Sequence, residues 1–257
     1  MQPLTLTLLQ TATHWHDPAA NRAHFDALLA RTPADTGIVV LPEMFSTGFT
    51  MASREVAEPM SGPTMTWLRE RAAAGNRVLC GSLVIEEAGA CFNRFVWVAP
   101  DGAVSTYDKC HRFRMAGEHE HYAAGDARVL IEHAGWKIRP LVCYDLRFPV
   151  WLRNVDGYDL LLCVANWPAP RRAAWNTLLR ARAIENQCYM AAVNIVGTDG
   201  NGVPYSGGSA AYGPDGLVLA ECFDAPGMIT VTLDPTPLQE QREAFPVWQD
   251  ADRFELT

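Results

Sequence analysis

The chain has 257 residues, 49% of them hydrophobic and 19% charged, enough to bury a sizeable core in one large α/β domain or two small ones. Lys and Arg number 21 against 29 Asp and Glu, a formal net charge of −8, so no global field recruits nucleic acid or an anionic membrane, and affinity for an acidic substrate has to be local. The seven cysteines (Cys80, Cys91, Cys110, Cys143, Cys163, Cys188, Cys222) are odd in number and lack a CxxC pair, which argues against a disulfide framework or a structural zinc site and for reduced thiols in a cytoplasm.

The opening MQPLTLTLLQ has no basic start and reads as a strand, with Leu4, Leu6 and Leu8 alternating with Thr5 and Thr7; no apolar run reaches membrane-spanning length. Asp17-Pro18 opens a helix that carries Phe25, Leu28 and Leu29 towards a core. Ile38-Val39-Val40-Leu41 is apolar throughout, as expected of a strand covered on both faces. Pro42 stops its ladder, which puts Glu43 at a carboxyl end, where open α/β sheets carry their chemistry; a solvated loop carboxylate is the plainer alternative. Ser61-Gly62-Pro63 precedes a helix through Trp67, Leu68 and Arg71, and RVLCGSL and CFNRFVWV follow as strands, with Pro100-Asp101-Gly102 as a turn.

The stretch from Tyr107 to Asp126, YDKCHRFRMAGEHEHYAAGD, is polar and too irregular for a simple connection. His111, His119 and His121 invite a metal, but neither HExxH nor a Cys/His ligand spacing is present, so no metal site is expected. A strand from Trp136 then ends at Cys143, and the chain turns through Tyr144, Asp145, Leu146 and Arg147 into a segment with Phe148, Val150, Trp151 and Leu152 at helical spacing. Such a turn exposes one side chain beside unpaired backbone N–H groups, a setting that suits a nucleophile, although a buried structural cysteine fits the same stretch. YDLLLCVA, ending at Ala165, reads as another buried strand, broken by Asn166-Trp167-Pro168. The helix from Arg172 to about Gln187 puts Trp175, Leu178, Leu179, Ala183 and Ile184 on one side, with Arg180, Arg182 and Glu185 as a salt-bridged face. Tyr189 to Val196 is a strand, Gly197 to Gly208 a flexible loop, Ser209 to Tyr212 and Leu217 to Ala220 a hairpin about Gly213-Pro214-Asp215-Gly216, and Met228 to Leu233 a last strand before a polar tail. With no linker or repeat, residues 1–257 read as a single domain.

Glu43, Lys109 and Cys143 lie, in that order, in LPEMFSTGF, YDKCHRF and LVCYDLRFP. Together these motifs resemble the Glu-Lys-Cys triad of the nitrilase superfamily, the carbon–nitrogen hydrolases, and the resemblance runs on through ANWPAPRRAAWNTLLRARAIENQ to REAFPVWQDADRF. Within the superfamily the chain looks most like the ω-amidase branch, which hydrolyses 2-oxoglutaramate and related ω-amides. The resemblance implies Cys143 as nucleophile, Glu43 as proton carrier, and Lys109 with the Tyr144 backbone N–H as oxyanion donors. It also implies a second glutamate placed before a Tyr and a Gly; Glu118, ahead of Tyr122 and Gly125, fits and would orient Lys109 or the substrate amide, whereas Glu120 does not fit. Relatives often carry a leucine just after the histidine where this chain has Arg112.

The same resemblance implies a four-layer α-β-β-α sandwich, a homodimer, and chemistry without metal or organic cofactor. The expected reaction is hydrolysis of the terminal amide of a small ω-amido acid through a cysteine thioester. A nitrile, a carbamoyl amine or another amide handled by the same triad is the alternative, and a non-catalytic binding protein on the same fold is the rival from another class. A serine hydrolase is disfavoured, since GxSxG is absent and Ser209 has no evident base. An acidic protein must meet the carboxylate of such a substrate with a local cation, for which Arg112, Arg114, Arg171 and Arg172 are the candidates, while Phe45, Phe49 and Trp167 would line the apolar span.

Overall fold

The computed structural model describes residues 1–256; Thr257, the last residue of the expected single-domain span, lies outside the described residues. The chain begins with β1 (Leu4–Gln10), α1 (Pro18–Leu29), β2 (Ile38–Val40), α2 (Ser53–Val56), α3 (Pro63–Gly75), β3 (Val78–Glu87), β4 (Ala90–Val98) and β5 (Val104–Asp108). It continues with α4 (Glu118–His121), β6 (Ile131–His133), β7 (Trp136–Val142), α5 (Pro149–Leu152), β8 (Leu160–Ala165) and α6 (Arg172–Asn186). The last elements are β9 (Tyr189–Asn194), β10 (Val196–Thr198), β11 (Pro204–Tyr212), β12 (Val218–Phe223), β13 (Gly227–Leu233) and α7 (Pro235–Ala244). Asp17 caps α1 by accepting from Ala20 N, and Pro18 occupies its first turn, the start signal expected there.

A six-stranded sheet runs β13-β1-β2-β3-β4-β5, and a seven-stranded sheet runs β10-β11-β9-β8-β7-β6 with β12 paired to β11. The parallel β1-β2-β3 and β7-β8-β9 sets form the two sheet centres. The sheets pack face to face with helices outside, the α-β-β-α sandwich. Side-chain alternation in β2 shows why its sequence is apolar throughout: Ile38 and Val40 enter the core between the sheets, whereas Val39 packs outward with Phe25 of α1 and Met65 and Leu68 of α3. On the other side Trp175, Leu179 and Ala183 of α6 seal the second sheet. Among the described residues no helix is long and apolar enough to cross a membrane.

Three local expectations change. Ile184, placed on the inner side of α6, is 48% exposed, and Arg182, placed on its solvated face, is buried, donating to the Leu146 carbonyl at 2.9 and 3.1 Å and pairing with Glu185. The buried stripe is therefore rotated, because a guanidinium with a carbonyl to serve is better satisfied inside than Ile184 is missed there. The glycine-rich run from Gly197 to Gly208 is mostly sheet, since Val196–Thr198 pairs with Pro204–Ser206 and only a short turn separates them. Beyond Cys143 the chain forms a 3₁₀ segment over Cys143–Arg147 and then only the single-turn helix α5.

Candidate active site

Each strand that ends at the same rim delivers one polar residue. Glu43 follows β2 and Pro42, Lys109 follows β5, Cys143 follows β7, and Asn166 follows β8. Glu43 and Glu118 are 0% exposed and Lys109 1%. Lys109 Nζ donates to Glu43 Oε1 at 3.0 Å and to both oxygens of Glu118 at 2.9 Å, so one ammonium bridges two buried carboxylates. Glu118, not the exposed Glu120, supplies the second carboxylate, and a Cβ at Gly125 would run into the Asp108 carbonyl beside Lys109.

Cys143 occupies the sharp turn between β7 and the 3₁₀ segment with φ +48°, a conformation that costs a non-glycine residue about 1–3 kcal/mol and persists only where its surroundings enforce it. Asp145 provides that enforcement. Its buried carboxylate accepts from Val142 N (3.0 Å), the Tyr107 hydroxyl (2.8 Å) and His111 N (2.9 Å), with His111 Nδ1 at 2.8 Å and the His111 ring stacked on Phe148. The Cys143 elbow in one sheet is thereby fastened to the Lys109 segment that leaves the other.

Burial, reinforced by the negative charge of Glu43 and opposed by Lys109, pushes the Cys143 thiol well above the ordinary cysteine value. Burial works against the Lys109 ammonium, but the charges of Glu118 and Glu43 outweigh it and hold its pKa well above the usual lysine value. The site thus sets a thiol held protonated by its burial in the same pocket as a fixed cation that bridges two buried carboxylates.

Asn93 and Asn166 belong to the site although neither was among the expected residues. Asn93 Nδ2 donates to Glu43 Oε1 at 2.8 Å and to Glu118 Oε1 at 3.3 Å, while its Oδ1 accepts from Ser82, whose hydroxyl in turn accepts from Met44 N. A buried asparagine inside the apolar strand CFNRFVWV is the signal that could have found it. Asn166 N donates to Glu43 Oε2 at 2.7 Å.

A small pocket opens over Cys143 and Lys109, lined also by Phe49, Tyr144, Trp167 and Arg171, all expected, and by Arg147, which was not. Arg171 lies 5.4 Å from the Phe113 ring centre and Arg147 4.8 Å from that of Trp167, and the ion pairs among the described residues leave both guanidinium groups without a carboxylate. The other expected contacts lie elsewhere. Phe45 is fully buried in the outer core against Phe25 and Trp67, because the turn at Met44 sends it away from the rim. Arg112 donates to the Tyr122 carbonyl, Arg114 is exposed on the loop, and Arg172 pairs with Asp224 over Phe223. Among the described residues no group of three or more His, Cys, Asp or Glu side chains is gathered as a metal ion would require.

The Carbon-nitrogen hydrolase family model matches residues 5–243. The chain is 48% identical over 260 residues, covering 100% of both chains, to Omega-amidase YafV of Escherichia coli, and 32% identical to the 2-oxoglutaramate amidase of Bacillus subtilis over 96% of each. Among solved structures, a CN-hydrolase superfamily protein from Xanthomonas campestris with an arsenic adduct in its active site is similar at TM-score 0.98 and 45% identity, with 100% of both chains covered. An amidase from Nesterenkonia sp., carrying the product of Michael addition of acrylamide at its active-site cysteine, gives TM-score 0.83 at 26% identity over 95% of this chain and 99% of that one.

Proposed function

The chain belongs to the carbon–nitrogen hydrolase family, and on that premise we propose that it hydrolyses the terminal amide of small ω-amido acids of the 2-oxoglutaramate kind, releasing ammonia and a carboxylate. The observation that carries this reading is the cluster in which Lys109 bridges Glu43 and Glu118 beneath a pocket holding Cys143 and two arginines free of carboxylates. Cys143 Sγ attacks the amide carbon as its proton passes to Glu43. Lys109 Nζ and the Tyr144 N–H, in the first turn beyond Cys143, receive the oxyanion, each such donor being worth about 3 kcal/mol. Glu43 then delivers the proton to the departing nitrogen, leaving a thioester. In the second half Glu43 takes a proton from water, the hydroxide attacks the thioester carbon, and the proton returns to sulfur as the acid departs. Glu118 and Asn93 hold Lys109 and Glu43 in register for both halves.

Arg171 and Arg147 suit the carboxylate at the far end of the substrate, with Phe49 and Trp167 along the span between. Ammonia release measured over a panel of ω-amides, aliphatic nitriles and carbamoyl amines tests the substrate class: the ω-amides are expected to turn over fastest, and a nitrile or carbamoyl amine ahead of them would overturn it.

The whole chain acts as one hydrolase domain, since Glu43 and Lys109 come from one sheet and Cys143 from the other. Seven free thiols suit a reducing cytoplasm. Ile184 on α6 and Val150 on α5 are exposed on the outer layer, as are Phe245 and Trp248 after α7, which supports a homodimer through that layer. Sedimentation at micromolar concentration should give twice 28.3 kDa, and a monomer alone would contradict the dimer.

A further inference from the structure

Asn166 is 3% exposed after the end of β8 and donates twice to Glu43: its N–H serves Glu43 Oε2 at 2.7 Å and its Nδ2 serves the Glu43 carbonyl at 2.9 Å. A carbonyl only accepts, so the amide nitrogen must be the end turned to Glu43, which fixes where Oδ1 lies. Oδ1 is buried and has no hydrogen-bond partner among the described residues, although Asn166 lines the pocket with Cys143 and Lys109. A buried acceptor without a donor is costly and calls for an explanation in a site where its neighbours are so fully engaged.

The donors around the nucleophile, Lys109 Nζ and the Tyr144 N–H, suit the carbonyl oxygen of a substrate. What a primary carboxamide adds, and an ester or nitrile lacks, is a pair of N–H donors on the nitrogen that leaves. We propose that Asn166 Oδ1 accepts one of these N–H groups, holding the leaving nitrogen against Glu43 and selecting primary amides over esters and nitriles. No N–H bond breaks there. The bond formed is S–C at Cys143, the bond broken is C–N, and the third hydrogen of ammonia is the thiol proton carried by Glu43. Because Asn166 is pinned through Glu43 itself, the acceptor and the proton carrier keep one geometry, which is the preorganisation such a step requires.

This inference rests on the amide-hydrolase reading of the same pocket, and substrates that differ only in the leaving group separate the two. Asn166→Ala is assayed on an ω-amide of a 2-oxo diacid and on the matching ω-methyl ester, in which OCH₃ replaces NH₂ at the scissile carbonyl. The expected result is a loss in kcat/KM on the amide that exceeds the loss on the ester by about tenfold or more, since removing Nδ2 from Glu43 affects both substrates alike whereas a site built to bond an N–H discriminates only against the analogue without one. Equal losses on both substrates would mean that Asn166 acts only by placing Glu43 and would overturn the proposal, as would no loss on the amide. A wild type that cleaves the ester but releases no ammonia from the amide would overturn both the proposal and the reading beneath it. Should Asn166→Ala not fold, calorimetric titration of Cys143→Ala decides: the ω-amide binding about tenfold more tightly than the methyl ketone with CH₃ in place of NH₂ supports the proposal, and equal binding overturns it.

Discussion

A thiol buried beside two carboxylates is a poor nucleophile until its proton has somewhere to go, and in the proposed mechanism Glu43 receives it. With burial and the Glu43 charge both disfavouring the thiolate, Cys143 stays protonated through the neutral range. Since its pKa is raised, the reactive anion grows as pH rises: alkylation by iodoacetamide should accelerate from about pH 7 to about pH 9 without levelling, and a plateau below about pH 8 would contradict a raised thiol. The same dependence of each group on the others predicts the behaviour of variants. Cys143→Ala, Glu43→Gln and Lys109→Ala should each lose turnover by about a thousandfold or more while remaining folded by circular dichroism, and double variants should lose little beyond the singles. Near-normal turnover in any one would remove it from the unit. Glu43, Lys109 and Cys143 could be singled out in the sequence because each sits in a short motif at a strand end, and Glu118, the first residue of α4, only through the family pattern that sets it ahead of Tyr122 and Gly125. Asn93, Asp145 and Arg147 could not, since their importance comes from neighbours distant in the chain: Asn93 matters only once β4 pairs with β3, which carries Ser82, and the segments after β2 and at α4 bring Glu43 and Glu118 to it.

At the scale of elements, apolar runs were the reliable signal and surface patterns the unreliable one. Ile38 to Val40 and Leu160 to Ala165 could be read as strands because both of their faces are buried, so nothing but a covered sheet suits them. In α6 the period was right and the phase was not. Arg182 goes inward to the Leu146 carbonyl at the Cys143 elbow, and no spacing rule reveals that a carbonyl waits there. The glycines between Gly197 and Gly208 suggested mobility, but most of them serve the bends of β10 and β11, with Gly207 and Gly208 at φ +65° and +87° where β11 changes register. The position of α5 was legible from Phe148, Val150, Trp151 and Leu152, yet its single turn was not, because the 3₁₀ segment before it takes up the chain that a longer helix would use.

On the scale of the whole molecule, the two sheets pack face to face so that Glu43 and Lys109 from one and Cys143 from the other gather at one rim, and Asp145 and Asn166 stitch across the seam. A net charge of −8 gives no general attraction for an anionic substrate, and in the proposed reading a preference for one rests on Arg171 and Arg147, which line the pocket. The direct measurement is kcat/KM for ammonia release from 2-oxoglutaramate and from the same molecule with its far carboxylate converted to a methyl ester. Loss of the charge should lower kcat/KM by about tenfold or more, the equivalent of roughly 1.4 kcal/mol of transition-state binding. Equal rates on the two substrates, or faster turnover of a simple aliphatic nitrile, would contradict an ω-amidase that reads an anionic tail.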